Sequence, residues 1–335
     1  MGEFDLIERY FKAPARAMRP NDAVALGIGD DCALLQPSAG MQLAISSDML
    51  VEGRHFFADV DPFTLGHKAL AVNLSDLAAC GAKPLAFTLA LSLPRADEAW
   101  LAPFSGGLLA LAAEHNCALI GGDTTQGPLN ICITVFGEVP KQHALLRSGA
   151  QVGDDIYVSG TLGDARLALE AMRGNVTLTE ETFAAAKARL ESPTPRIALG
   201  MALRGIASSA IDVSDGLLGD LAHILKQSQV GAVIKTSIAT ELTAINLIAT
   251  KPTNTPAISQ FNHEIQLKYV LSGGDDYELA FTAPVHQRHA VQAAALASNT
   301  PVTRIGQIEA GPGLRLTDAQ GQPVPNNFGS FDHFQ

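Results

Sequence analysis

The chain has 335 residues, 47% hydrophobic and 17% charged, the balance of a folded globular protein of about two domains and not of a disordered one. With 34 acids against 23 bases the formal net charge is −11, and no basic stripe offers itself to a nucleic-acid backbone, so nucleic acid is excluded as a partner. The longest apolar runs, such as Ala86–Leu91, are too short to cross a bilayer, and Met1–Phe11 carries Glu3, Asp5 and Glu8 where a secretory signal needs an apolar core. No membrane partner and a cytoplasmic setting are therefore expected. The four cysteines, Cys32, Cys80, Cys117 and Cys132, show no CxxC spacing and read as reduced core residues.

In chain order, strands are expected at Val24–Ile28 and Gln42–Ser46, and a helix at Thr64–Cys80. That helix follows Asp61-Pro62 and stops at Gly81, the usual asymmetry of helix ends. A strand at Ala86–Leu93, a helix at Glu98–His115, a short strand at Ala118–Gly121 and a strand at Ile131–Val139 complete a first block. A linker-like stretch, Val139–Gly153, leads to a strand at Ile156–Ser159 and helices near Ala165–Met172, Thr182–Leu190 and Pro195–Ala207. Then come a strand at Ala210–Val213, a helix from Asp215 to about Gln229 and strands at Ala232–Lys235 and Tyr277–Thr282. A helix at Val285–Ala297 and a strand at Val302–Ile308 close the pattern, while 237–268 has no clear periodicity. The mixture implies two α/β (or α+β) domains meeting near residue 145.

Acids recur beside glycine where strands end or helices begin: GIGDD (Gly27–Asp31), ISSD (Ile45–Asp48), NLSD (Asn73–Asp76), IGGDTT (Ile120–Thr125), IDVSDG (Ile211–Gly216) and LSGGDDYE (Leu271–Glu278). Hard cations seek oxygen ligands, and glycine lets backbone amides approach a phosphate. Each stretch has an ordinary alternative. Asp30-Asp31 after Gly29 and Gly273–Asp276 are good turns, and Ser46-Ser47-Asp48 serves equally as a turn or cap. Ser214 or Asp215 is a good N-cap, although a cap leaves Asp212 without a reason. Asp76 resists such a reading, because it lies in an almost wholly apolar helix and shares a face with Asn73. A buried carboxylate needs a partner or a metal. Arg147, in the linker, is either a surface arginine or a lone cation within reach of phosphates. His55 is either a solvated loop residue or a ligand contact. No HExxH, GxSxG or GxxxxGK[ST] pattern occurs.

Taken in order, GIGDDCALL, AISSDMLVEGRHF, KALAVNLSDLAACGAKP, LIGGDTT, RSGA, GDDIYVSGTLGDA, SAIDVSDGLLGDLAHI and LSGGDDYELAF resemble the thiamine-monophosphate kinase family over essentially the whole chain. That family belongs to the aminoimidazole ribonucleotide synthetase-like superfamily. The resemblance implies an N-terminal domain (residues 1–147) that binds ATP and Mg²⁺ and pairs in a homodimer. It also implies a C-terminal domain (residues 148–335) that completes the active site. The implied reaction passes the γ-phosphoryl of ATP to thiamine phosphate, yielding thiamine diphosphate. By the family pattern Asp31, Asp48, Asp76, Asp123, Asp212 and Asp215 would hold several Mg²⁺ ions, with Ser46 and Ser47 adding oxygens. Gly122, Asp123, Arg147 and Ser214 would contact ATP, and His55, Asp275 and Phe331 would contact thiamine phosphate. Family members typically carry Glu at the Asp275 position, and some carry Tyr or Trp at the Phe331 position. The acceptor is itself anionic, so no general base is required, and the task is to join two anions. The alternatives are another ATP-dependent synthetase of the superfamily, of purine-biosynthesis or selenophosphate type, and a non-catalytic nucleotide- or cation-binding protein.

Overall fold

A computed structural model of the chain describes residues 2–18, 21–239, 242 and 263–329. The described chain divides into two compact units, Met1–Leu77 with Ala82–Ala144, and Leu145–Gln335 with Ala78–Gly81.

The first unit opens with helical turns that sequence periodicity left unassigned: α1 (Glu3–Ile7), a π-helical turn (Glu8–Lys12) and α2 (Ala13–Ala17). Leu6, Tyr10 and Phe11 are buried, an apolar stripe at helical spacing. A small antiparallel pair, β1 (Val24–Leu26) and β2 (Leu34–Leu35), flanks the GIGDD turn. The main sheet runs β3 (Met41–Val51), β6 (Asn130–Pro140), β4 (Lys83–Leu93) and β5 (Ala118–Gln126), in that spatial order. β6 is antiparallel to both neighbours, and β4 and β5 are parallel.

Two helices lie in this unit, α3 (Pro62–Ala79) as far as Leu77, and α4 (Glu98–Glu114). They meet at backbone distance. A Cβ on Gly66 would stand 2.0 Å from the Phe104 carbonyl oxygen, and one on Gly107 would stand 1.9 Å from that of Phe63. Only glycine permits so close a crossing. Leu70, Leu74 and Leu77 of α3, Leu101, Phe104 and Leu108 of α4, and Phe87, Leu91, Ile131 and Val135 of the sheet are buried. On β3 the odd-numbered residues face outward instead: Ile45 is 61% and Met49 52% exposed.

The second unit holds a seven-stranded mixed sheet. Its strands are β7 (Asp155–Ser159), β8 (Ser209–Val213), β9 (Gly231–Lys235), β10 (Glu278–Ala283), β11 (Val302–Glu309), β12 (Gly313–Thr317) and β13 (Pro323–Val324). The spatial order is β13-β12-β9-β11-β7-β10-β8, antiparallel throughout except for the β9–β12 pair. Helices α5 (Asp164–Met172), α6 (Glu180–Glu191), α7 (Ile197–Ala202), α8 (Leu217–Ser228), α9 (Thr236–Ala239), α10 (His263–Ser272) and α11 (Arg288–Ala297) complete it. β12, β13 and α10 have no counterpart in the sequence-based expectation. The helix expected at Pro195–Ala207 shrinks to Ile197–Ala202, and Val285–Gln287 is a 3₁₀ turn leading into α11.

One buried ion cluster ties the strands to the helices of this unit. The Glu278 side chain has no solvent exposure, and it accepts from Arg189 Nη2 at 2.7 Å, Arg196 Nε at 2.7 Å and Ser159 Oγ at 2.6 Å. Two guanidiniums and a hydroxyl offset the desolvation of that carboxylate.

Candidate active site

Three sets of the expected residues are placed by the fold, two in the first unit and one in the second. The first set sits where α3 faces β3. The ISSD segment does not end its strand as expected, because β3 continues to Val51 and places these residues in its middle. A pleated strand sends alternate side chains to opposite faces. Ser46 therefore meets α3, where its Oγ donates to Asp76 Oδ2. Asp48, two residues on, gives its backbone N–H to Asn73 Oδ1 at 3.0 Å, and Asn73 Nδ2 donates to the Ala69 carbonyl at 3.0 Å. Asn73 and Asp76, one helical turn apart, thus address alternate residues of one strand. Ser47 is not brought to this group. Its hydroxyl lies on the opposite face, 3.0 Å from Thr134 Oγ1 and donating to the Ile133 carbonyl at 3.1 Å. His55 sits just beyond β3, where its Nδ1 accepts the Val51 N–H at 3.0 Å.

The second set lines a pocket of about 280 Å³ walled by Asp30, Asp31, Gly122, Asp123 and Thr124, with Ile7 and Phe11 of the N-terminal helical segment. IGGDTT does not follow a strand as expected; β5 carries it and runs on to Gln126. Gly122, at φ +143°, lies beside Leu89 of β4. Asp30 Oδ1 accepts the Asp31 N–H at 3.1 Å, which holds the GIGDD turn. Arg16 of α2 donates to the Ile28 carbonyl at 3.3 Å, against the same turn. Ile7, Phe11 and Arg16 escaped the sequence reading. The signal that points to Ile7 and Phe11 is their i, i+4 spacing beside that of Leu6 and Tyr10; Arg16 carries no such signal.

The third set belongs to the second unit. Asp212 is buried near the end of β8. Ser214 and Asp215 do not start the helix that follows. α8 begins at Leu217, with Gly216 at its N-cap and no side-chain cap. Instead Asp220, in the first turn of α8, accepts the N–H groups of Ser214 at 3.0 Å and Asp215 at 3.1 Å through its Oδ2. Burial pushes the Asp220 carboxyl up to about 7, and the Asp215 charge adds to this, against the two N–H groups and the Arg147 guanidinium. Arg147 is exposed and close enough to act on this turn electrostatically. The Gly273–Tyr277 segment locks onto the same turn: Asp275 N–H donates to the Ser214 carbonyl and Tyr277 N–H to the Val213 carbonyl, both at 2.8 Å. Asp275 and Tyr277 both adopt positive φ, +66° and +51°, and Tyr277 Oη donates to Asp275 Oδ1 at 3.2 Å. Phe331 lies outside the described residues.

The carboxylates and hydroxyls of these sets are hard oxygen donors, which suit Mg²⁺ and not a thiophilic metal. Among the described residues no three of His, Cys, Asp and Glu are gathered closely enough to hold an ion by themselves. Mg²⁺ takes few protein oxygens per ion and fills its shell with water and substrate phosphate, so separate small groups fit it. No helix of the described residues is long and apolar enough to cross a membrane.

Comparison with known proteins agrees over the whole length. Residues 29–139 match the AIR synthase related protein N-terminal domain, and residues 151–319 its C-terminal domain. A thiamine-monophosphate kinase of Salmonella typhimurium is 46% identical across 99% of this chain and 98% of its own. One from Haemophilus influenzae is 43% identical across 100% and 98%. The crystal structure of the thiamine-monophosphate kinase from Stenotrophomonas maltophilia superposes with a TM-score of 0.82 at 44% identity, covering 97% of this chain and 98% of that one. AaThiL, complexed with AMPPCP and TMP, superposes at 0.73 with 27% identity, covering 99% and 97%. The fold is the two-domain AIR synthase-like fold. With both domain models in sequence and full-length relatives well above 30% identity, the chain belongs to the thiamine-monophosphate kinase family.

Proposed function

We propose that this chain transfers the γ-phosphoryl group of ATP directly to thiamine phosphate. A phosphate oxygen of the acceptor bonds to the γ-phosphorus, the bond to the β–γ bridging oxygen breaks, and thiamine diphosphate and ADP leave. The observation that carries this reading is the end-to-end likeness to thiamine-monophosphate kinases, one of them solved with AMPPCP and TMP together. The site chemistry supports it. The acceptor needs no deprotonation, and the proposed carboxylates are hard oxygen donors of the kind that hold Mg²⁺ against phosphate.

The residues proposed to hold Mg²⁺ are Ser46, Asp48 and Asp76, then Asp31 and Asp123, then Asp212 and Asp215. Ser47 is proposed to add an oxygen from the opposite face of β3, since its hydroxyl lies beside Thr134 and not Asp76. Bound Mg²⁺ would screen the two anions from each other and hold them in line. Gly122 and Asp123 are assigned to ATP on the strength of the pocket they line, and Arg147 and Ser214 on their place at the Asp220 turn. His55, Asp275 and Phe331 are assigned to thiamine phosphate, whose cationic ring suits a carboxylate and an aromatic face. A cytoplasmic homodimer is part of the same proposal, supported by the exposed Leu43, Ile45 and Met49 on edge strand β3.

ADP release from Mg·ATP should depend on thiamine phosphate. Equal release with and without it would sink the assignment. Phe331→Ala should raise KM for thiamine phosphate several-fold and leave KM for ATP nearly unchanged, since a cation on an aromatic face contributes about 0.5–2 kcal/mol. Steady-state kinetics in both substrates decide it, and an unchanged KM for thiamine phosphate removes Phe331 from the site.

A further inference from the structure

A helix that begins at a Ser-Asp pair ordinarily spends one of those side chains as its cap, accepting the N–H groups of the first turn. α8 does the reverse. Its N-cap is Gly216, no side chain caps it, and the acceptor is Asp220, four residues inside. Asp220 is itself fixed, because its N–H donates to the Gly216 carbonyl at 3.0 Å and the residue is only 4% exposed. The Oδ2 atom reaches back past the N-cap to the amides of Ser214 and Asp215. A capping box reaches back only as far as the N-cap amide, so this contact extends that device by two residues.

The Ser214 backbone is thereby held at both its N–H and its carbonyl. Its N–H enters the Asp220 carboxylate, and its carbonyl receives the N–H of Asp275 at 2.8 Å. One buried acceptor thus sets the backbone of the turn that presents Asp215 and Ser214, and the turn in turn meets Asp275.

We infer that Asp220 is a positioning residue for the phosphoryl-transfer reaction, holding the Ser214–Asp215 turn in register by accepting its two backbone amides. The inference rests on the proposed ligand role of that turn. Asp220 acts as a hydrogen-bond acceptor here and not as a charge, so its neutral near-isostere should serve in its place.

The test compares Asp220→Ala with Asp220→Asn in the full-length chain, by amide hydrogen exchange without ligand and by Mg²⁺ titration of activity. In Asp220→Ala the amides of Ser214 and Asp215 should exchange at least ten-fold faster, and the Mg²⁺ concentration for half-maximal activity should rise about ten-fold. Asp220→Asn, which keeps an acceptor oxygen at the Oδ2 position, should rescue both readouts to within a few-fold of the parent. If the Ala variant does not fold, the Asn variant still decides. A ten-fold loss there would make Asp220 act through its charge and overturn the inference, as would unchanged exchange in Asp220→Ala. A parallel Asp215→Asn variant isolates the underlying reading. An unchanged Mg²⁺ requirement there removes the ligand role of the turn, while the exchange data still report on Asp220.

Discussion

Asp76→Asn is expected to lower kcat by about 10²-fold or more while the melting temperature moves little. Asp76 accepts the Ser46 hydroxyl, and an Asn carbonyl oxygen in the same place accepts it equally well, so packing against β3 survives. What disappears is a negative charge placed among groups proposed to hold cations against two phosphates. Removing one such electrostatic contact from a transition state costs about 2.7–4 kcal/mol, or about 10²–10³ in rate. Chelating the divalent metal with excess EDTA should bring the parent protein to the same floor, because a chain of net charge −11 has few cations of its own to join two anions. The measurements are kcat at saturating Mg²⁺ and thermal unfolding on the same sample. A fully active but less stable Asp76→Asn protein would make Asp76 a structural carboxylate, and full turnover in EDTA would end the metal reading altogether.

Gly122→Ala should damage both stability and nucleotide binding, and Gly121→Ala should do neither. A Cβ on Gly122 would stand 1.8 Å from the Leu89 carbonyl oxygen and 2.6 Å from its carbon. These are backbone atoms of the paired strand β4, so no side chain can swing aside. The residue also sits at φ +143°, a conformation with a cost of about 1–3 kcal/mol for a residue bearing a side chain. Relief requires β5 to part from β4, and β5 is an edge strand that also walls the Asp31–Asp123 pocket. A loss of about 2–4 kcal/mol of stability and a ten-fold or greater weakening of ATP binding are expected. At Gly121 the nearest atom to an added Cβ is Thr88 Cγ2 at 4.0 Å, ordinary contact. Calorimetric melting and nucleotide titration of the two variants make the comparison, and matching behaviour of the pair would refute the strand geometry at Gly122.

Local chemistry made much of this protein legible in its sequence. The helix Pro62–Ala79 announces itself through Asp61-Pro62 at one end and Gly81 at the other, and the strands Lys83–Leu93 and Asn130–Pro140 through the mostly apolar stretches Ala86–Leu93 and Ile131–Val139. Asp76 stands out because a carboxylate in an apolar helix needs a partner. These signals are short-range, so no knowledge of the fold is needed to read them. The ordered set of acid-glycine stretches carries the family resemblance for the same reason.

Other features depend on contacts distant in sequence. Ser46-Ser47-Asp48 looks like a strand end, and only pairing with Ile133–Val135 across β6 shows that it is mid-strand, with Ser47 turned from its neighbours. Asp220 looks like an ordinary acid on an amphipathic helix; the amides it accepts are only five and six residues away, but the turn that carries them is also held by the distant Gly273–Tyr277 segment. The N-terminal helical segment carries no assignment from periodicity, and the burial of its Leu6, Tyr10 and Phe11 is decided by packing within the first unit. The sequence alone determined which oxygen donors exist and that they come in a recognisable order, because composition and local turn chemistry are written residue by residue. The tertiary structure alone decided which of them share a face, since strand alternation, register and helix placement are settled by packing between segments far apart in the chain.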